Sequence, residues 1–315
     1  MEYRELGTTG YKVSRLCFGT LVLGPLEAAL PVERAAELLV EAFRRGVNFV
    51  DTAESYGTYP HLRAALRRWD GEVVVASKSY AWTRRMARES VERARRELGR
   101  DVIDIFLLHE QTGPETLAGH REALEELRRL QQRGWVGAVG ISTHSVRAVR
   151  AAISTEEVQV IHPLINYRGL GIMGGSLEEM LDAVRCARES GKAVYSMKAL
   201  GGGNLLQEAE RALQYVRDLP FVDSVAVGIQ TFAELDYNVR LFSGIEIPDW
   251  LRAQVARKPR RLVVQDWCRG CGRCVDACSA GALRLAGGRV QVDASRCILC
   301  GYCAKECEEF CLKII

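Results

Sequence analysis

Between residues 262 and 315 one cysteine pattern occurs twice, in register, 29 residues apart. Cys268, Cys271, Cys274 and Cys278 read C-x2-C-x2-C-x3-C, and Cys297, Cys300, Cys303 and Cys307 repeat it. Gly272 recurs as Gly301, and Leu283-Arg284-Leu285 recurs as Leu312-Lys313-Ile314. Three thiolates at two-residue gaps do not comfortably face one tetrahedral zinc, so zinc is the weaker reading. They can wrap three corners of an iron–sulfur cubane whose fourth corner is filled from elsewhere. In the two-cluster form of this spacing, the fourth cysteine of each run serves the other cluster. Cys268, Cys271, Cys274 and Cys307 are therefore expected around one 4Fe-4S cluster, and Cys297, Cys300, Cys303 and Cys278 around a second. Gly272 and Gly301 let backbone N–H groups approach the sulfurs. Cys311 falls opposite Ala282 in the repeat, which reads as a packing position.

The chain has 11 cysteines, and only Cys17 and Cys186 precede residue 262. Both lie in apolar patterns and are expected to be inert core residues. A cysteine-dense tail could also be a secreted disulfide framework. The N-terminal Met-Glu-Tyr-Arg-Glu-Leu-Gly shows no basic segment followed by an apolar run, so metal ligation and a cytoplasmic location are expected instead. No run of 18 uncharged apolar residues suggests membrane insertion. The net charge of +3, from 43 basic and 40 acidic residues, is too balanced to suggest a nucleic-acid partner.

Ahead of the tail, short strand patterns rich in β-branched residues alternate with helical ones. A hairpin is expected over 3–6 and 10–13, then strands at 16–18, 49–50, 73–77, 103–108, 138–141, 158–161, 193–196 and 224–227. Unalternated apolar runs of this kind suit strands buried on both faces of a parallel sheet. Val32, Ala35, Ala36, Leu39, Val40 and Phe43 show the helical spacing between them. Eight such units fit a (β/α)8 barrel, with a doubly wound open sheet as the rival. Polar residues close strand after strand: Asp51, Lys78, His109, Ser142, His162 and Lys198. A barrel gathers these ends on one rim, where barrel enzymes work. The periodicity stops over 247–261, where Pro248 and Pro259 bracket a basic run expected to be a solvated linker. The expected organisation is an α/β barrel at 1–246, a linker at 247–261 and a small α+β cluster domain at 262–315.

Asp51, Lys78 and His109 end neighbouring strands, and Tyr56 lies in the loop after Asp51. An unaided tyrosine titrates near pH 10, too high for a good acid at neutral pH. A nearby ammonium favours phenolate, so Lys78 is expected to lower that value, with Asp51 keeping the ammonium charged and aimed. His109 is placed to hydrogen-bond a carbonyl. Each residue alone has a plainer reading, a structural ion pair or a satisfied histidine. Together on one rim they make a proton donor able to polarise C=O as hydride arrives.

Two resemblances follow from these motifs. Residues 262–315 resemble bacterial two-cluster 4Fe-4S ferredoxins, although Ser279 and Glu308 stand where that family usually carries Pro. Residues 3–243 resemble the aldo-keto reductase superfamily through Asp51-Thr52-Ala53-Glu54-Ser55-Tyr56-Gly57, Ser77-Lys78 and Ile103-Asp104-Ile105-Phe106-Leu107-Leu108-His109. The second resemblance implies NAD or NADP lying along the rim. It also implies Tyr56 as general acid, Lys78 and Asp51 as its tuners, and His109 as carbonyl orienter. It further implies cofactor contacts from Gly19, Thr20, Asp51, Ser142, Thr143, His162, Lys198, Leu200, Gly201, Gly228, Gln230 and Asn238. NADP-preferring members often place Arg or Lys near the last segment. Gln230 and Glu234 stand there instead, which makes NAD plausible.

Gly169-Leu170-Gly171-Ile172-Met173-Gly174 fits G-x-G-x-x-G. The strand after it leads to Lys198 rather than an acid, so a flexible rim loop is expected without a cofactor role. His61 and His120 are given no catalytic role, and only His144 could touch cofactor. The expected function is hydride transfer between a nicotinamide and a small carbonyl or alcohol, with one-electron exchange through the clusters to an external redox protein. The alternatives are an electron-transfer component with a scaffold barrel, or an enzyme with purely structural clusters. The cluster domain is expected to pack on the rim and close one side of the substrate pocket.

Overall fold

In a computed structural model covering residues 1–315, the alternating pattern closes into a parallel barrel. A hairpin of β1 (Tyr3–Glu5) and β2 (Lys12–Ser14) comes first. The barrel strands are β3 (Leu16–Gly19), β4 (Phe49–Asp51), β5 (Val74–Ser79), β6 (Ile103–Leu108), β7 (Val136–Thr143), β8 (Val160–Pro163), β9 (Ala193–Ser196) and β10 (Ser224–Gly228). They close in sequence order, with β10 returning to pair with β3. Around them run α1 (Val32–Arg44), α2 (Tyr59–Leu66), α3 (Arg84–Leu98), α4 (Pro114–Gly119), α5 (Arg121–Gln132), α6 (Val146–Ile153), α7 (Leu177–Glu189), α8 (Ala209–Arg217) and α9 (Phe232–Phe242). The expected (β/α)8 barrel is the observed one.

Side chains alternate faces along each strand. Val50, Phe106, Ile141 and Val225 face the helices in a cluster of 59 buried residues. Phe49, Ala76, Leu107, Val160 and Tyr195 point into the barrel and pack with Leu6 and Val13 of the hairpin side. Two residues beyond Phe49, Ala76, Leu107 and Val160, in the same facing, stand Asp51, Lys78, His109 and His162. The two-residue period thus stacks a polar layer on an apolar one, at the end of the barrel where the strands finish.

Three sequence expectations need correction. The 247–261 stretch holds a helix, α10 (Asp249–Ala256), packed through the fully buried Leu251. Its neighbours Lys258 and Arg260 are not solvated but ion-pair with Glu234 at 3.0 and 2.8 Å. One buried residue in an eight-residue helix leaves little periodicity to read. Cys186 is exposed, because α7 turns Met180, Ala183, Val184 and Ala187 inward and Cys186 away. The 169–174 loop is pinned rather than loose. Asn166 brackets Leu170 with two hydrogen bonds of 2.9 Å, and Met173 bridges to Ser145.

Beyond α10 the chain forms β11 (Leu262–Val264), α11 (Arg273–Asp276), β12 (Leu283–Ala286), β13 (Arg289–Val292), α12 (Tyr302–Lys305) and β14 (Leu312–Ile314). The repeat in sequence is also a repeat in backbone. α11 and α12 follow Gly272 and Gly301, at φ of +83° and +74°, a conformation open to glycine at little cost. β11 pairs with β14 and β12 with β13. This unit docks on the rim: Ile314 N donates to Gly202 O at 3.0 Å, and Asn204 Nδ2 donates to Leu312 O at 3.0 Å. A Cβ on Gly171 would lie 2.6 Å from the Phe310 ring, so the 169–174 loop serves as a seat for this unit.

Candidate active site

Lys78, fully buried on β5, donates from Nζ to Asp51 Oδ1 at 2.8 Å, to Asp51 Oδ2 at 2.7 Å and to Thr52 O at 2.7 Å. Tyr195 OH donates to Asp51 Oδ1 at 2.8 Å. His162 stacks on Tyr195 with centroids 3.9 Å apart and hydrogen-bonds Tyr195 O through Nδ1 at 2.6 Å, which makes Nδ1 the protonated nitrogen. Burial lowers the His162 pKa to about 4, so the ring is neutral.

Tyr56 ends a short 3-10 turn after β4, and Gly57 at φ +67° reverses the chain behind it. Its ring centroid lies 4.9 Å from Lys78 Nζ and 5.8 Å from the His109 ring. The expected lowering of its pKa does not occur. Burial, then the Asp51 and Glu110 carboxylates, push the phenol well above its usual value. The Lys78 ammonium is engaged by Asp51 and Thr52, so the phenol sees an ion pair rather than a free cation. His109 stacks on Tyr80 at 4.5 Å, and burial together with Lys78, His162 and Lys198 drives its pKa well below the usual range. It is neutral and can donate a hydrogen bond. Buried polar atoms without partners gather at this end of the barrel: His109 Nδ1, Gln111 Oε1 and Ser196 Oγ.

The remaining rim residues carry internal partners. Ser142 Oγ accepts from Glu110 N at 2.9 Å, and Thr143 Oγ1 accepts from Ser145 N at 2.8 Å. Thr20 Oγ1 meets Thr58 Oγ1 at 3.0 Å beside Gly19. Lys198, at φ +58°, reaches His144 Nε2 at 2.9 Å. Leu200 and Gly201 follow in the loop that carries Asn204. Gly228 is tight against Val22. Gln230 Nε2 donates to Val22 O at 3.1 Å, and Asn238 Nδ2 donates to Glu234 O at 2.7 Å. Lys258, Arg260 and Arg261 join Gln230 and Glu27 around an open groove. The basic charge expected to be missing from this segment thus arrives from 247–261. His61 bonds Leu30 O and His120 bonds Thr116 O, each a backbone carbonyl.

In the tail, Cys278, Cys297, Cys300 and Cys303 line one small pocket whose other walls are mainly apolar, including Leu283, Ile298 and Ile314. Burial and then Cys307, Cys271 and Cys268 raise the Cys274 pKa to about 11. No three of these donors converge closely enough to hold a single ion. Ala282 N donates to Cys278 Sγ and Cys311 N donates to Cys307 Sγ, each at 3.3 Å. Cys311 is buried and its sulfur lies 3.3 Å from Cys307 Sγ. The four thiols on one lining are the donor chemistry of an iron–sulfur cluster.

Sequence reasoning missed Tyr195, Tyr80, Lys258, Arg260 and Lys313. Tyr195 was findable as the second inward residue of β9. Lys313 was not, because its surroundings exist only once the two parts of the chain are docked.

Comparison with known proteins gives two matches along the chain. The aldo/keto reductase family model matches residues 15–218, and a 4Fe-4S dicluster domain model matches residues 262–308. L-galactose dehydrogenase of Arabidopsis thaliana is 23% identical over 288 residues, covering 78% of this chain and 89% of that protein. The NADH-specific methylglyoxal reductase of Escherichia coli is 27% identical over 188 residues, covering 51% and 58%. Among solved structures, a putative aldo-keto reductase from Pseudomonas aeruginosa superposes with a TM-score of 0.65 at 26% identity, covering 77% of this chain and 94% of that one.

Proposed function

The chain belongs to the aldo/keto reductase family of oxidoreductases, and from that membership we propose that it transfers hydride between NAD or NADP and a small carbonyl or alcohol. The observation that carries this reading is the buried Asp51–Lys78 pair beneath Tyr56 and beside a neutral His109. When bound, the nicotinamide supplies the hydride or accepts it. The chain supplies the rest. Tyr56, held protonated by burial, gives its proton to the carbonyl oxygen as negative charge grows there. The phenolate that remains faces the Lys78 ammonium, and Asp51 keeps that ammonium charged and fixed. His109 donates a hydrogen bond to the same oxygen and orients it. Tyr80 packs against His109 and keeps the ring in place.

Cofactor contacts are proposed for Gly19, Thr20, Ser142, Thr143, His162, Lys198, Leu200, Gly201, Gly228, Gln230 and Asn238. The orphaned polar atoms at this end of the barrel support a bound polar partner. Arg260 and Lys258 beside Gln230 make a 2′-phosphate acceptable, so NADP is a candidate equal to NAD. The domains are taken as 1–246 and 262–315, joined by 247–261. Two 4Fe-4S clusters, held by Cys268, Cys271, Cys274 and Cys307 and by Cys297, Cys300, Cys303 and Cys278, would supply one-electron exchange with an external redox protein.

The test is anaerobic. Clusters are reconstituted, NADH or NADPH is added, and visible absorbance, EPR and carbonyl turnover are followed together. Reduction of carbonyls and of the clusters supports the full reading. Turnover with clusters that stay oxidised leaves them a structural role, and failure to bind either nucleotide sinks the enzyme reading.

A further inference from the structure

Where the cluster domain meets the barrel, two lysine amines share one phenyl ring. Lys313 Nζ lies 2.9 Å from the centroid of Phe310, and Lys198 Nζ lies 5.3 Å from it. Lys313 Nζ is shielded from solvent and has no hydrogen-bond partner. Lys198 bonds only the uncharged acceptor Nε2 of His144, at 2.9 Å, and the His144 ring stands edge-on to Phe310 at 6.2 Å. Charging both amines around one ring is costly without an anion, and burial with the nearby Lys198 holds the Lys313 amine well below its usual range. The acidic groups facing Lys313 are the Cys307 and Cys311 thiols and then Glu110, and those facing Lys198 are Glu110 and Glu27. Glu110 is spent on Tyr80 OH at 2.9 Å and stays 4.0 Å from His144 Nε2, and neither carboxylate bonds either lysine. The cluster also borders the catalytic side of the rim. Lys198 lies within electrostatic reach of His109, and His144 within reach of both Lys313 and His109.

We propose that Lys313, Lys198 and His144 form an oxyanion site at the domain junction, which receives a carboxylate or phosphate carried by the carbonyl substrate. The substrate class is then an anionic carbonyl compound. Its C=O sits between Tyr56 and His109, and its negative end sits between the two lysines over Phe310. The cluster domain contributes Lys313 directly, so docking of that domain completes the specificity pocket. This inference rests on the carbonyl-reductase reading for the orientation of the substrate, but its binding half stands alone.

The experiment uses the full reconstituted protein. Calorimetry measures benzoate and inorganic phosphate, with benzyl alcohol as the neutral probe, in the wild type and in Lys313→Met, Lys313→Gln, Lys313→Arg and Tyr56→Phe. Visible cluster absorbance confirms that each variant is folded and loaded. Benzoate binding is expected to weaken at least tenfold in Lys313→Met and Lys313→Gln, and to survive in Lys313→Arg and Tyr56→Phe. In turnover, the kcat/KM ratio of 4-carboxybenzaldehyde to benzaldehyde is expected to fall at least tenfold in Lys313→Met. Equal benzoate affinity in wild type and Lys313→Met overturns the site. So does a loss of NADPH affinity in Lys313→Met that matches the loss for benzoate, because the anion would then be a cofactor phosphate. Benzoate binding that survives Tyr56→Phe, with turnover unaffected by that change, would sink the reductase reading and leave the anion site standing.

Discussion

Lys78 grips Asp51 through both carboxylate oxygens, at 2.8 and 2.7 Å, inside a wall that leaves neither residue more than 4% exposed. Tyr195 OH and the Thr52 carbonyl complete the set of partners. The pair is one electrostatic unit, since removing either member strands the other in a medium that solvates charge poorly.

Lys78→Met should therefore destabilise the barrel by about 3–5 kcal/mol, the usual loss when a buried pair is broken from one side. Adding Asp51→Asn should recover part of that loss, because the stranded carboxylate is gone. Urea denaturation of the single and double variants reads both values. A double variant no more stable than Lys78→Met would show that the two residues are not coupled.

Tyr56→Phe should lower kcat by roughly 10²–10⁴-fold, the usual contribution of a positioned general acid. Nucleotide affinity, read by fluorescence quenching, should change less than about twofold, since a general acid acts mainly on the transition state. Because burial raises the phenol well above 10, no loss of rate from Tyr56 ionisation should be seen as pH climbs from 7 to 10. A rate that falls with a midpoint near 8 in the wild type and stays flat in a Lys198→Met variant would report Lys198, whose pKa burial lowers to about 8.

Much of this arrangement was legible in the chain. β-Branched runs marked most barrel strands, and the two-residue period from Phe49 to Asp51 and from Ala76 to Lys78 placed the polar layer. The 29-residue cysteine repeat marked a second unit outside the barrel. What stayed hidden depended on tertiary surroundings. The direction of the Tyr56 shift follows from desolvation, which no local pattern encodes. Cys186 lay in a run of apolar spacing but on the wrong face of α7. Lys258 and Arg260 read as a solvated run until Glu234 was brought against them, and Lys313 gained neighbours only through docking.

Cys303→Ala and Cys274→Ala should each remove one cluster, about four irons per chain by the cubane stoichiometry. Cys186→Ala and Cys17→Ala should remove none, because one is exposed on α7 and the other is buried inside the barrel away from the tail. Cys311→Ala tests the repeat register, which pairs it with Ala282. Iron content should hold, and the visible spectrum should shift only slightly through the lost contact with Cys307. Iron analysis and EPR after reconstitution give the answer, and loss of four irons in Cys311→Ala would return that residue to the ligand set.

Gly203 has φ +85°, and a Cβ there would stand 1.8 Å from Ile314 O. Gly203→Ala should therefore push β14 off the rim while the barrel remains folded. Hydrogen exchange should rise across Leu312–Ile314 and around Gly202, whose carbonyl accepts from Ile314 N. Gly134→Ala, whose Cβ meets nothing within 4 Å although its φ is +74°, controls for backbone strain alone. Equal protection of β14 in both variants would show that the docking seen here does not hold the tail in place.

His162 supplies the pH dependence of the barrel. Its folded pKa of about 4 lies below the ordinary 6.5 because the ring is buried, although Asp51 nearby works in the opposite direction. The unfolded chain therefore binds the proton more readily than the folded one between those values. Stability from this group is fully present above pH 6.5 and is lost as pH falls toward 4. Between pH 7 and pH 5 the loss should be about 2 kcal/mol, taking 1.36 kcal/mol for each pH step below 6.5. His162→Gln cannot take up a proton, so its own loss over the same interval should be smaller by about that amount. Urea midpoints at pH 7, 6 and 5 for wild type and variant read the difference. Parallel curves would mean that His162 titrates normally in the fold, and that its stacking on Tyr195 leaves it open to water.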